Sequence, residues 1–283
     1  MNWYHPLFDF PVKGVTFSLL FIAISLVFLE KKQLAILFAS VALCTALYSG
    51  QMQWVALPTL ITLAVALYFH KKKSLAVIAH PLIILSAILL SAHIAPGFNN
   101  WLWHQDVQFS ESSIVSRLYF NLDKGLVGLL LGFFLYNTVN KVPNYSAATM
   151  TITTLTALSL IFCVSWMLGL IRWQPHYHPL FMAWLVKMLF LTIVAEEMFF
   201  RYYLQGVLLK RWITNAHYLV LLSGLIFGLL HFLAGWQYAI VATIAGTLYA
   251  FLYQRTQHIG WSITAHLLLN SIHFLLFTYP LAD

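Results

Sequence analysis

The chain has 283 residues, of which 61% are hydrophobic and only 8% are charged. A soluble globular domain carries about 25% charged residues, so this composition excludes an ordinary soluble domain and predicts an integral membrane protein. The net charge of +7 does not indicate a nucleic-acid partner, because the basic residues fall in short clusters between apolar runs, as the positive-inside bias produces.

Ten apolar runs of helical length follow one another along the chain. Unpaired peptide groups are costly in lipid, which favours helices as the spanning form. The sequence therefore predicts an all-α, polytopic transmembrane helical bundle of about 8–10 spans, each needing about 20 residues. The runs lie at about 12–29, 33–49, 54–70, 74–95, 125–139, 147–171, 180–209, 217–234, 236–254 and 261–278.

Two connections between the runs are informative. The longest, residues 96–124, is expected to be an interfacial loop in which Ser110–Phe120 forms a helix on the membrane surface. In Trp173–Pro179, two prolines end one helix and open the next. This break divides the chain into residues 1–179, helices of unassigned role, and residues 180–276, where the buried polar residues concentrate.

The seventh run contains three charges, Glu196, Glu197 and Arg201, near the middle of an otherwise apolar helix. Each charge at the bilayer centre costs about 2.5–3.5 kcal/mol or more, so these side chains need partners or water. Glu197 and Arg201 are four residues apart and are expected to form an ion pair. Glu196 points to another face and is the candidate working carboxylate. The alternative is a purely structural charge network.

The eighth and tenth runs carry further polar side chains on single helix faces. His231 follows Phe227 by one turn in the eighth run, and His266, Asn270 and His273 share one face of the tenth. The alternative for each is a hydrogen-bonded packing residue. The ninth run shows only a face of small residues around Gly246, which predicts close helix packing and no titratable group inside.

Simple helix geometry predicts a difficulty for this set of residues. If the ten spans alternate, the loops near Ile213 and His258 are both predicted on the cytoplasmic side. His266 is about eight residues from the loop near His258, whereas His231 is 18 residues from the loop near Ile213. Straight helices would therefore separate the two imidazoles by about 15 Å in depth. Either Arg211–Tyr218 forms a surface helix that shifts the eighth span, or one of the helices is tilted or broken.

A buried glutamate, two histidines and an asparagine fit peptide-bond hydrolysis by an activated water. Glu196 would accept a proton from water, one histidine would position that water, and His266 with Asn270 would hydrogen-bond a developing oxyanion. A metal variant, in which Glu196, His231 and His266 bind zinc that activates the same water, is equally compatible with the spacing.

Three motifs resemble those of a known family. E-E-M-F-F-R (Glu196–Arg201), F-G-L-L-H (Phe227–His231) and H-L-L-L-N (His266–Asn270) are similar to the E-E-x-x-x-R, F-x-x-x-H and H-x-x-x-N/D motifs of the CAAX-processing and bacteriocin-processing (CPBP) intramembrane endopeptidases, which include CAAX prenyl protease 2. All three occur in the family's order. The resemblance covers residues 180–276 and says nothing about residues 1–179.

The resemblance implies an intramembrane protease of glutamic type. By it, Glu196 is the general base, His231 helps to hold the water, and His266 with Asn270 forms the oxyanion site. The catalytic residues would be supported by Glu197, Arg201 and Phe227. No cofactor is implied, with zinc as the alternative. Relatives with similar motifs also serve as scaffolds or in bacteriocin self-immunity, so a non-catalytic role is the alternative function.

The expected partners are a membrane-associated protein or peptide substrate and the lipid bilayer, with no nucleic acid. The sequence gives no reason to transfer prenylated substrates from the eukaryotic members. We expect a multi-pass protein of a prokaryotic cytoplasmic (inner) membrane.

Overall fold

The computed structural model of the chain describes residues 6–136 and 145–282. Within these ranges the chain is an all-α membrane helical bundle, and each of the predicted apolar runs corresponds to a helix. The run predicted at 125–139 is Leu122–Leu135, and its residues 137–139 lie outside the described part. The first six helices are α1 (Pro6–Phe28), α2 (Lys32–Tyr48), α3 (Leu57–Phe69), α4 (Ala76–Ser91), α5 (Leu122–Leu135) and α6 (Ala147–Met167).

The seventh helix, α7, is irregular. It covers residues 181–211 and begins as an α-helix, Phe181–Met188, followed by a π-helical stretch, Leu189–Ile193. One α-helical turn, Val194–Glu197, precedes a second π-helical stretch, Met198–Leu208, and the helix closes with a 3₁₀ turn. The remaining helices are regular: α8 (Ala216–Leu230), α9 (Trp236–Thr256) and α10 (Ile259–Leu276).

Helix length separates two groups in the described residues. Three apolar stretches are long enough to cross a membrane by length and composition: Pro11–Phe28, Ala147–Met167 and Ile259–Leu276. Four further apolar helices are shorter than that: Lys32–Tyr48, Trp54–Phe69, Ala76–Ser91 and Ala216–Leu230. The predicted helices are therefore present, but several are shorter than the runs from which they were predicted.

The expected surface helix at Ser110–Phe120 is wrong. Two short strands, β1 (Trp101–Val107) and β2 (Ser116–Phe120), pair in this connection. Aromatic and β-branched side chains favour strands, and the serines between the strands form a turn in which Ser113 Oγ donates to the carbonyl of Ser110 at 2.8 Å. Such local side-chain bonds compete with helix formation.

Two compact units make up the fold. Of the described residues, the first comprises 6–104, 118–136 and 190–195. In it α1 packs against α2 and α5, while α3 and α4 pack against each other and against α5. Its buried carboxylate, Asp123, contacts His93 Nδ1 at 2.9 Å and accepts a hydrogen bond from Asn100 Nδ2 at 3.0 Å. This link joins the start of α5 to the segment after α4.

Of the described residues, the second unit comprises 105–117, 145–189 and 196–282, with α9 packed against α6, α8 and α10. The predicted small-residue packing is confirmed. A Cβ on Gly224 would lie 2.1 Å from Thr247 Oγ1, and one on Gly228 would lie 1.8 Å from Thr243 Oγ1. Glycine at these two positions is what allows α8 and α9 to approach each other.

The loop before α7 also belongs to the second unit, and it runs beside the chain that follows α10. Trp173 and Phe277 form an antiparallel bridge, and Thr278 N donates to the carbonyl of Arg172 at 3.0 Å. The buried Phe274 ring contacts Trp184 at 4.5 Å between centroids. These contacts fix the end of α10 against the start of α7.

Candidate active site

The Glu197–Arg201 contact expected from the sequence is present. Arg201 Nε lies 3.2 Å from Glu197 Oε2, and neither side chain is exposed. Arg201 Nη1 also donates to Ser223 Oγ of α8 at 2.7 Å, and the guanidinium lies 5.2 Å from the centroid of the Phe227 ring. Arg201 therefore connects α7 to α8 as well as balancing the charge of Glu197.

Glu197 has a second partner that the sequence did not predict. Its Oε1 atom lies 2.8 Å from His266 Nδ1. A carboxylate can only accept, so the Nδ1 nitrogen carries the proton in this contact. The other ring nitrogen, His266 Nε2, lies 3.9 Å from Glu196 Oε2. That distance is too long for a hydrogen bond, and it leaves His266 held by one glutamate and facing the other.

The two glutamates differ in burial as well as in partners. The Glu197 side chain is completely buried, whereas 13% of the Glu196 side chain is exposed. Glu196 also interacts electrostatically with the phenol of Tyr238 at the start of α9. The more accessible carboxylate is thus the one that the sequence indicated as the working group.

His231 ends α8 as its C-cap residue. Its Nδ1 atom lies 2.7 Å from the carbonyl oxygen of Phe227, which can only accept, so Nδ1 is protonated and neutral His231 keeps a lone pair on Nε2. The His231 ring lies 5.9 Å from the Tyr238 ring. Tyr238 therefore contacts His231 and is influenced by the charge of Glu196.

The Phe227 ring is a shared neighbour of the two histidines. Its centroid lies 4.5 Å from that of His231 and 6.0 Å from that of His266. The depth difference of about 15 Å that straight helices would give is therefore absent from the structure. Gln257 and His258, which form the turn before α10, are both exposed, whereas Thr256 and Ile259 on either side of the turn are buried.

Of the two explanations offered for that difference, the surface helix is wrong, and the second, a tilted or broken helix, describes α7. Arg211–Tyr218 is not a surface helix, because residues 213–215 are not helical and α8 begins at Ala216. The broken helix is α7, whose second π-helical stretch starts directly after Glu197.

Asn270 and His273 have different surroundings. Asn270 is half-buried one turn beyond His266, and in residues 6–136 and 145–282 no hydrogen bond of its side chain is found. His273 Nε2 lies 3.0 Å from the carbonyl of Thr278, and its ring lies 5.1 Å from that of Tyr279. His273 is therefore engaged by the segment after α10, and it does not join the other polar residues.

The zinc alternative finds no ligand cluster here. Among the described residues, no group of three or more His, Cys, Asp or Glu side chains is arranged to hold a metal ion. Glu196, His231 and His266, the set named for zinc, do not form such a group, and no catalytic step below is derived through a metal.

Comparisons with known proteins agree with the motif resemblance. Residues 178–272 match the family model described as "Type II CAAX prenyl endopeptidase Rce1-like". This part of the chain is therefore similar to that family of membrane endopeptidases, as its CPBP-like motifs indicate. The Bacillus subtilis (strain 168) protein named "Putative membrane peptidase YdiL" is 34% identical to the chain over 90 residues, which are 32% of this chain and 35% of that relative. No solved structure matches the chain.

All three motifs lie inside the matched region, residues 178–272. The same region contains the candidate site residues Glu196, Glu197, Arg201, Phe227, His231, His266 and Asn270. The match begins at residue 178, and the predicted division of the chain at residue 179 stays a prediction. The aligned region spans about a third of the relative, so the resemblance concerns this helical region and not either whole protein.

Sequence reasoning missed three residues of this site: Ser223, Tyr238 and Tyr249. The expectation that the ninth run contributes no titratable side chain is wrong, because the Tyr249 ring stacks on His266 with 4.6 Å between centroids. One signal was available for Ser223, which precedes Phe227 by one helical turn. Tyr249 shares α9 with other tyrosines, and nothing in the sequence distinguishes it from them.

Proposed function

We propose that the protein is an intramembrane endopeptidase that hydrolyses a peptide bond of a membrane-associated protein or peptide with a water activated by Glu196. The observation that carries the proposal is the arrangement of His266, whose Nδ1 is bonded to buried Glu197 while its Nε2 lies 3.9 Å from Glu196. One carboxylate, Glu197, holds the imidazole, and the other, Glu196, faces its free side. Two carboxylates in such different environments are suited to acid–base chemistry.

In the proposed reaction, Glu196 accepts a proton from water as the water oxygen attacks the carbonyl carbon of the scissile bond. The lone pair on His231 Nε2 accepts a hydrogen bond from the other O–H of the same water and orients it, and this second hydrogen stays on the water oxygen. The carbonyl oxygen becomes an oxyanion. Glu196 then delivers its proton to the leaving amine nitrogen as the carbon–nitrogen bond breaks.

The oxyanion would be stabilised by His266 and Asn270. In the imidazolium form both ring nitrogens of His266 donate. Nδ1–H donates its hydrogen bond to Glu197, and Nε2–H is available to donate to the oxyanion. The half-buried Asn270 amide supplies the second donor. Fixed donors aimed at a developing charge contribute a large share of the rate in hydrolases.

The proposed setting is a multi-pass protein of a prokaryotic cytoplasmic membrane whose substrate reaches the site from the bilayer. Several apolar helices support a membrane setting. Prenylated substrates are not part of the proposal.

The test uses the full chain in liposomes with fluorogenic membrane-anchored peptides. Glu196→Gln should abolish cleavage and leave the melting temperature of the protein near that of wild type. Cleavage or an immunity phenotype that survives in Glu196→Gln would overturn the protease proposal and favour a scaffold role. A chelator arm distinguishes the zinc alternative, because loss of cleavage on chelation, restored by added zinc, would overturn the glutamic mechanism.

A further inference from the structure

Tyr249 lies in the middle of α9 and is completely buried. Its ring is stacked almost parallel to the His266 imidazole, with 4.6 Å between centroids and 16° between planes. Offset stacking of this kind fixes the relative orientation of two rings. Tyr249 therefore contacts a candidate site residue through its aromatic face.

A second contact joins Tyr249 to α10, the helix that carries His266. Ser262 Oγ donates to the carbonyl oxygen of Tyr249 at 2.9 Å. Ser262 is completely buried and precedes His266 by one helical turn. One hydrogen bond to the backbone and one stacked ring thus fix α9 against α10 at the level of His266.

Phe227 limits the His266 imidazole on another side. The Phe227 ring is nearly perpendicular to both neighbours, at 81° to His266 and 86° to Tyr249. Gly246, one turn before Tyr249, leaves room for the Phe227 side chain, because a Cβ on Gly246 would lie only 2.9 Å from Phe227 Cβ. The imidazole is held by Glu197 at Nδ1, by Tyr249 at its face and by Phe227 at its side.

We propose that Tyr249 is a positioning residue of the proposed hydrolytic site, and that its ring fixes the plane of the His266 imidazole. With the plane fixed, Nδ1 stays bonded to Glu197 and Nε2 stays on the side of Glu196. The inference rests on the proposed function for its effect on turnover, and on geometry alone for its effect on His266.

The hydroxyl group of Tyr249 is not required to position His266. In the described residues, Tyr249 Oη is buried and has no hydrogen-bond partner, and leaving a buried hydroxyl unpaired costs stability. Tyr249→Phe keeps the ring and removes the unpaired group. That variant should therefore keep turnover within about threefold of wild type, whereas Tyr249→Leu loses the stacked face.

The experiment compares Tyr249→Phe and Tyr249→Leu in the full chain, with Tyr253→Leu as the matched control. Tyr253 is also buried, one turn further along α9, but its ring contacts Tyr202. A displaced catalytic group costs on the order of 100-fold in rate. We expect Tyr249→Leu to lower kcat on a peptide that wild type cleaves by about 10- to 100-fold, with KM unchanged, and Tyr253→Leu to leave kcat within about threefold.

A second measurement does not depend on activity. ¹⁵N NMR of labelled histidine reports which ring nitrogen of His266 is protonated, with Tyr253→Leu again as control. Tyr249→Leu should change the His266 signals and their pH profile, and Tyr249→Phe should preserve both. If Tyr249→Leu does not fold, Tyr249→Met, which is also flexible and apolar, takes its place.

The outcomes separate the two proposals. Full cleavage by Glu196→Gln would overturn the proposed function but leave the NMR comparison to decide the role of Tyr249. With Glu196→Gln inactive, wild-type kcat and unchanged His266 signals in Tyr249→Leu would overturn this inference. Equal loss in Tyr249→Phe and Tyr249→Leu would overturn it as well, since the hydroxyl would then be required.

Discussion

Glu197 and His266 are 69 residues apart in the chain, yet Glu197 Oε1 lies 2.8 Å from His266 Nδ1 in the interior of the protein. The same carboxylate group contacts Arg201 through its other oxygen at 3.2 Å. One completely buried glutamate therefore connects the structural ion pair of α7 with the histidine that faces Glu196. Stability and site geometry depend on the same side chain.

Glu197→Gln should lower both stability and turnover. The amide leaves the buried Arg201 guanidinium without its counter-ion, and removing one partner of a buried ion pair costs about 3–5 kcal/mol. It also offers His266 Nδ1 a weaker, neutral acceptor. Thermal unfolding in detergent and cleavage kinetics check the two effects, with the exposed Glu111→Gln as control. Wild-type unfolding together with wild-type turnover would contradict both roles of Glu197.

The helices of this protein could be predicted from its sequence more completely than the contacts between them. Long apolar runs and the prolines of Trp173–Pro179 indicate helices and a break by local chemistry alone. The contact of Glu197 with His266 depends on how α7 and α10 pack, and α7 departs from regular α-helical geometry directly after Glu197. Residue counting assumes straight, regular helices, so it overestimates the separation of His231 and His266.

The motif residues were identified because charge in an apolar helix is conspicuous in any sequence. Tyr249 and Ser223 escaped because tyrosine and serine are common in membrane helices, and only the three-dimensional packing shows that one stacks on His266 and the other accepts from Arg201. The strands at Trp101–Val107 and Ser116–Phe120 escaped because an interfacial helix and a hairpin share aromatic and polar residues.

Ser223→Ala should destabilise the protein without a direct effect on chemistry. It removes the acceptor of Arg201 Nη1, and an unsatisfied buried donor costs about 1–3 kcal/mol, with more for charged groups. Ser159→Ala is the matched control, since Ser159 is exposed and bonds only to its own helix. A Ser223→Ala protein that unfolds at the same temperature as Ser159→Ala would show that the contact contributes nothing.

Gly224→Ala should separate α8 from α9. The added methyl group would lie 2.1 Å from Thr247 Oγ1 and 2.8 Å from Thr247 Cα, and the backbone atom cannot rotate away. Overpacking of this kind costs about 1–3 kcal/mol. Gly132→Ala, whose Cβ would meet only Val27 Cγ1 at 3.2 Å, should cost less. Equal melting temperatures for the two variants would mean that the α8–α9 contact is looser than described.

Asn270→Ala should reduce turnover and spare stability. The Asn270 side chain is half-buried, and removal of one oxyanion donor costs about 100- to 1000-fold in kcat. Thr264→Ala, on the exposed face of the same helix, is the control for folding and yield. If Asn270→Ala turns over like the control, the second oxyanion donor must be sought elsewhere.

The backbone of α7 changes its hydrogen-bonding pattern immediately after Glu197, where the second π-helical stretch, Met198–Leu208, begins. A π-helix bonds residue i to i+5 instead of i+4, so the face presented by each later residue depends on where this change occurs. Arg201 and Gln205 both lie beyond it, and Gln205 Nε2 donates to the carbonyl of Ala250 at 3.0 Å. Deleting a single residue from this stretch would therefore redirect every side chain on one side of the deletion while leaving the composition of the helix almost unchanged. If the motif Glu196–Arg201 were transplanted onto a regular α-helix, its sequence would be kept but its side chains would contact different residues.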